Sequence, residues 1–152
     1  MKFLTFFLNQ NRFAVSVATT REVNRMVAIR TVPEAPAYVL GFIDLHGLLT
    51  PALNLKELIQ IKPAHLEPNA RWIAVKHGSL SVCLAVDKLD RIMNITARKT
   101  DHVPSLHDHP ENKYFDSYFK IDDDIVPVLA TGKLLATKEI GVVAGLREHF
   151  LR

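Results

Sequence analysis

The chain has 152 residues, 48% of them hydrophobic and 23% charged, which supports one domain or two very small lobes sharing a core and excludes disordered or collagen-like classes. Lys and Arg total 19 against 16 for Asp and Glu, and the resulting net charge of +3 is too small and scattered for a nucleic-acid footprint. A single cysteine, Cys83, excludes an internal disulfide framework and fits a reducing compartment, and no apolar run approaches the ~20 residues that span a bilayer.

Met1-Lys2 followed by Phe3 to Leu8 loosely resembles the start of a secretory signal. Asn9, Gln10, Asn11 and Arg12 interrupt it before it reaches the usual ~7–15 apolar residues, so a first β-strand and a cytoplasmic location are expected. Phe13, Val15 and Val17 alternate on one face of a second strand, and the Asn-rich turn between the two runs predicts a hairpin. Thr19 to Met26 fits either a short capped helix or a turn and strand. Val27 to Val32 alternates again and is closed by Pro33 and Pro36. Tyr38 to Leu45 and Leu48 to Leu53 flank His46-Gly47 as a hairpin, and Pro51 predicts an edge or bulged second strand. Leu55 to Ile61 reads as a short helix, and Lys62 to Asn69, with Pro63 and Pro68, as a linker.

The second half repeats the pattern. Trp72 to Lys76 and Leu80 to Val86 form a hairpin around His77-Gly78-Ser79, and Arg91 to Ile95 is a further strand. Thr96 to Asn112 is polar, contains Pro104 and Pro110, and reads as a long loop. Tyr114 to Ile121 and Ile125 to Leu129 pair around Asp122-Asp123-Asp124, and Lys133 to Leu135 begins a helical turn. In the tail, Ile140, Val143, Leu146 and Phe150 have helical spacing, but Gly141 and Gly145 weaken a helix and leave a last strand from Ile140 to Ala144 open. Closely spaced strands with few helical patterns predict an all-β barrel architecture.

No catalytic constellation emerges. His102, His107 and His109 share a loop with Asp101, Asp108 and Glu111, but the spacing matches no zinc motif. The three consecutive aspartates lack the alternation and glycine of a calcium loop and suit a turn. Cys83 lies between Val82 and Leu84 in a strand and reads as a small core residue. Isolated glycines form no phosphate-cradling loop, and no Gly-x-Ser-x-Gly elbow occurs. Neither a cofactor nor a metal is expected, and abundant strands without chemistry point to work done by a surface.

The stretch Gly41-Phe42-Ile43-Asp44-Leu45-His46-Gly47-Leu48-Leu49-Thr50-Pro51-Ala52-Leu53-Asn54-Leu55 resembles the CheW-like domain family, whose pattern runs Gly-Val-Ile-Asn-Leu-Arg-Gly, a few apolar residues, Pro, then Val-Ile-Asp-Leu. Val32-Pro33 with Pro36-Ala37-Tyr38-Val39, Leu84 to Leu89, Ile125 to Leu129 and Lys133-Leu134-Leu135 resemble the family's flanking motifs in the same order. The likeness covers roughly Phe3 to Ala136. It departs where arginine of the turn has become His46, asparagine has become Asp44, and Ala14 and Ser117 stand where glycines are usual.

The resemblance implies an all-β fold of two intertwined, five-stranded, Src-homology-3-like barrels with short helices. One CheW-like domain over 1–137 is expected, with barrel one near 10–61, barrel two at 3–8 plus 70–135, and a helical tail over 138–152. It implies a non-catalytic adaptor, monomeric or weakly self-associating, that couples chemoreceptor cytoplasmic tips to the regulatory domain of a CheA-type histidine kinase. Neither nucleic acid nor membrane insertion is expected. The partner-binding residues implied are Val15, Val17, Glu22, Val23, Met26, Asp44, His46, Gly47 and Leu48 on the first barrel, and Val86 and Leu89 on the second. Two readings of His46 stay open: a solvated turn histidine, or an approach to Glu22 in the manner of an acid–arginine pair in the family, which with histidine is sensitive to pH. The alternative is a metal- or ligand-binding β-barrel using the His102 to Glu111 loop.

Overall fold

Period-two alternation organises the chain into two sheets, each with apolar side chains on both faces. The computed structural model describes residues 1–25, 27–95, 114–137 and 140–143. The first sheet contains β1 (Lys2–Leu8), β2 (Asn11–Ser16), β8 (Lys88–Asn94), β9 (Phe115–Ile121) and β10 (Asp124–Leu129), in the order β8-β1-β2-β10-β9. The second contains β3 (Thr20–Arg25), β4 (Val39–Leu45), β5 (Leu48–Asn54), β6 (Arg71–His77) and β7 (Leu80–Val86), in the order β3-β6-β7-β5-β4. A 3-10 turn over Val17–Thr19 carries the chain from the first sheet into the second, and Asp87 is the one residue between β7 and β8 on the return. Helices are short: α1 (Leu55–Leu58), α2 (Thr131–Leu135) and a turn over residues 140–143.

The strands divide between lobes differently from the expected partition. β2 stays with β1 because the hairpin pairs Phe3 with Ser16 through to Leu8 with Asn11. β6 and β7 stay with β4 and β5 because β7 pairs in parallel with β5, Ala52 opposite Cys83. The proline-rich Lys62 to Asn69 stretch is therefore an excursion within the second lobe. It is tied down where Asn54 Nδ2 donates to Ala64 O at 2.7 Å and Lys56 Nζ to His65 O at 2.6 Å.

Two other expectations change. Val27 to Val32 makes no strand; Arg30 alone forms a bridge to Phe42. Gly41 permits this approach, since a Cβ there would sit 2.1 Å from Arg30 O, on a backbone already at φ +141°. Pro51 lies on an interior strand, not an edge, and the parallel ladder with β7 is recorded from Ala52 onward, so the missing donor falls before it. Thr19 to Met26 resolves in favour of turn and strand, with Met26 itself outside the described residues.

Four hairpins close with two-residue loops, and each loop opens on a residue in the left-handed region: Asn9 (φ 55°), His46 (φ 53°), Gly78 (φ 61°) and Asp122 (φ 56°). His46 is followed by Gly47 at φ 83°, so both central residues of that loop have the positive φ of a type I′ turn, whose twist matches the flanking strands.

Parity along the strands sorts side chains between three clusters. Leu4, Phe6, Leu8, Phe13 and Val15 of the first sheet meet Leu53, Ile73, Val75, Val82, Leu84 and Val86 of the second in one shared core, joined by Leu134, Leu135, Ile140 and Val143. The alternate residues bury the outer faces: Phe3, Ala14, Phe119 and Val128 on the first sheet, and Ile43, Leu45, Trp72, Ala74, Cys83 and Ala85 on the second.

Among the described residues, one fully buried ion pair lies inside this apolar frame. Lys56 Nζ is 2.8 Å from Asp87 Oδ2, with both side chains buried. The lysine also donates to Asn9 Oδ1 at 3.1 Å, and the carboxylate accepts from Asn9 N at 2.6 Å. Removing one partner strands the other charge in the interior, which costs about 3–5 kcal/mol. Lys56→Ala is therefore expected to lower unfolding stability by about that amount in urea titrations. Lys62→Ala, which removes the exposed partner of Glu57 at 4.0 Å, is expected to cost no more than about 1 kcal/mol.

Candidate functional site

The β4–β5 turn and β3 meet at the rim of the second sheet's outer face. The β3–β6 register slips between Thr20 and Glu22, a bulge of the kind that re-aims a side chain. Glu22 stands opposite Ala74, and Asn24 opposite Trp72, so both share the face that carries Trp72 and Ala74. From there Glu22 reaches the turn: His46 Nε2 lies 2.8 Å from Glu22 Oε2 and 3.1 Å from Oε1. The side chains are 72% and 26% exposed, so the contact orders the rim but contributes little stability. Asp44 Oδ1 accepts from Gly47 N at 2.7 Å and braces the same turn. Asn24 Nδ2 also donates to Glu22 Oε1.

Behind this rim is a cleft of about 190 Å³, lined by Glu22, Asn24, Val27, Asp44, His46 and Leu45 at its mouth and sides and by Ile43, Trp72, Ala74 and Cys83. Burial pushes the Cys83 thiol up to about 12, with Glu22 adding to the rise and Arg21 opposing it. Cys83 is thus the inert core residue that its strand position implied.

The expected partner-binding residues separate into groups. Glu22, Asp44, His46, Gly47 and Leu48 gather around the turn, with Leu48 39% exposed. Leu48 pairs with Leu45 and so shares its outer face. Val23 is exposed on the same strand as Glu22 but stands opposite Ile73, a core residue, and belongs to the other face. Val15 and Val86 are corrections: both are 0% exposed within the shared core, where strand parity puts them, and offer no surface. Val17 and Leu89 are partly buried and pack against that core; Leu89 also lines a broad groove with Phe7, Ile61 and Pro68. Met26 lies outside the described residues, as do the His102 to Glu111 loop and most of the tail. Among the described residues no three His, Cys, Asp or Glu side chains group as metal ligands, and no helix is long and apolar enough to cross a membrane.

Sequence reasoning passed over Asn24, Val27 and Trp72. Trp72 carried a usable signal: a lone tryptophan in a strand needs a partner for its indole N–H.

Two sheets sharing a core thus carry a braced, exposed rim on the outer face of the second sheet. The CheW-like domain model matches residues 2–139, and the chain belongs to that family. It is 25% identical over 136 residues to a chemotaxis protein CheW of Helicobacter pylori, spanning 89% of this chain and 81% of that protein. It is also 25% identical over 138 residues to a probable chemotaxis protein CheW of Rhizobium etli, spanning 90% and 88%. The fold superposes on the scaffolding protein TtCheW of Thermoanaerobacter tengcongensis with a TM-score of 0.81, covering 91% of this chain and 94% of that one at 22% identity.

The Cys83 environment sets an alkaline limit on stability. The unfolded chain releases the thiol proton near 9.0, whereas the folded protein holds it to about 12. Between those values the unfolded state binds fewer protons, so stability falls as pH rises, at up to roughly 1.4 kcal/mol per unit. Urea titrations from about pH 8 to 11 are expected to show that slope in the wild type and a shallower one in Cys83→Ala.

Proposed function

We propose that the protein is a chemotaxis-type coupling adaptor that joins a receptor's cytoplasmic tip to the regulatory domain of a CheA-type histidine kinase without catalysing a reaction. Membership of the CheW-like family and the curated relatives named chemotaxis protein CheW support this reading. The observation that carries it furthest in this chain is the Glu22–His46 contact at 2.8 Å on an exposed rim. It lies on the segments that, by the family resemblance, contribute to partner contacts. The docking surface consists of Glu22, Asp44, His46, Gly47 and Leu48, extended by Val27, which is 48% exposed beside the same cleft. Val23 adjoins it at the sheet edge. The absence of a long apolar helix among the described residues and the single buried cysteine suit a cytoplasmic partner.

An adaptor of this kind holds its partners through a few desolvated aliphatic side chains inside a polar rim. Leu48→Asp and Val27→Asp are each expected to weaken binding to the kinase regulatory domain or to a receptor-tip fragment at least tenfold in calorimetric titration. Because both positions are exposed, unfolding stability is expected to change by no more than about 0.5 kcal/mol. Unchanged affinity for both partners in both variants would remove the assignment of this face.

A further inference from the structure

The two edges of the second sheet are tied to each other by two contacts of different kinds. β3 and β4 are the edge strands, with β6, β7 and β5 between them. The chain that leaves β3 returns to β4 through a backbone pair, Arg30 N donating to Phe42 O at 2.8 Å and Phe42 N to Arg30 O at 2.9 Å. At the rim the tie is made by side chains, with His46 Nε2 at 2.8 and 3.1 Å from the two oxygens of Glu22. The cleft lies along this seam. Glu22 and Asn24 line it from β3, Leu45 and His46 from β4 and its turn, and the buried Trp72 and Cys83 from the strands between. We propose that the Glu22–His46 contact is a pH-sensitive gate on this cleft, drawing the two edges together while the imidazole carries a proton and releasing them when it is neutral.

The two ties respond to pH differently. The Arg30–Phe42 pair is backbone to backbone and has no charge to lose. An imidazole is the side chain whose ordinary charge change falls between about pH 5 and 8. Its proton adds Coulombic attraction to the Glu22 carboxylate; without it, one neutral N–H at most competes with water for the same oxygens. The two sides of the seam also differ in freedom. Asp44 Oδ1 accepts from Gly47 N at 2.7 Å and holds the turn, whereas β3 is an edge strand with no fully buried residue and a bulge between Thr20 and Glu22. Release therefore moves β3 away from a fixed turn. The neighbouring titratable and charged groups do not replace the tie. Asp44 is engaged in the turn, burial pushes the Cys83 thiol up to about 12, and Arg21 donates to Ser81 Oγ. Among the described residues, neither Arg25, which stands opposite Arg71, nor Arg30 forms an ion pair with Glu22.

The gate belongs to the chain itself and does not rest on the adaptor reading, so its failure leaves that reading intact. Trp72 is the chain's one tryptophan and lines the cleft at 2% exposure. Acrylamide quenching of its fluorescence in the full chain therefore reads how open the cleft is. In the wild type the quenching constant is expected to rise about two- to fivefold from pH 5.5 to 8, a range set by the small worth of an exposed ion pair. The six other histidines titrate over the same interval, and two variants separate them from His46. His46→Arg, with a permanent cation, is expected to keep the wild type's pH 5.5 value throughout. Glu22→Gln, without the partner charge, is expected to keep the pH 8 value throughout. A wild-type constant that does not change with pH, a Glu22→Gln variant that retains the rise, or a His46→Arg variant that follows the wild type would overturn the proposal.

Discussion

The arrangement of the two sheets depends on one buried ion pair. Lys56 follows β5 of the second sheet, Asp87 is the hinge between the sheets, and Asn9 turns the first hairpin; the Lys56–Asp87 contact at 2.8 Å brings all three together. Lys56 donates to Asp87, Asn9 and His65, so each ammonium proton has an acceptor. Asp87 accepts from Asn9 N at 2.6 Å and Glu67 N at 3.4 Å besides the lysine. A pair of well-packed apolar residues would equal or exceed its stability, because taking two ions out of water costs several kcal/mol each. Its effect is directional: hydrogen bonds fix where the turn, the excursion and the hinge lie, whereas apolar contacts tolerate sliding.

The way the sheets pack explains why both of their faces are apolar. Each sheet presents one face to the shared core and covers part of the other with its own loops, so β7 reads Val82, Leu84 and Val86 inward and Cys83 and Ala85 outward. Runs that look uniformly apolar in sequence are two interleaved sets with different neighbours. Ile29, Leu40 and Leu66 pack against the outer set of the second sheet, and Ile43, Trp72, Ala74 and Cys83 of that set line the cleft.

The legible part of the sequence was local. Asn9-Gln10, His46-Gly47, Gly78-Ser79 and Asp122-Asp123 announced their hairpins because turn chemistry is written in adjacent residues. The resemblance left two readings of His46 open, a solvated turn histidine and an approach to Glu22 24 residues away, and the structure makes the contact. Lobe boundaries were misplaced because Pro63 and Pro68 look the same in a linker between lobes as in a loop pinned by Lys56. Val15 and Val86 could have been excluded as surface by parity: each alternates with residues that fill one core face, Phe13 with Val15 and Leu84 with Val86. Trp72 gave a signal but not its answer: a lone strand tryptophan needs a hydrogen-bond partner, and sequence spacing does not reveal which neighbours could supply one.

The change from arginine to histidine at the turn alters how the rim is held. An arginine fork can offer a carboxylate two parallel donors and a permanent charge. His46 offers one nitrogen, placed between the two oxygens of Glu22 at 2.8 and 3.1 Å, and its charge exists only when the ring is protonated. With the imidazole 72% exposed, water competes for the same oxygens. Asp44 still braces the turn through Gly47 N, so the loop keeps its shape even when the tie to β3 is loosened. The backbone of the rim is thus fixed by the turn and the bulge, while the lateral bond across it is weak. The rim combines a rigid frame with a polar contact that water or another donor displaces at little energetic loss.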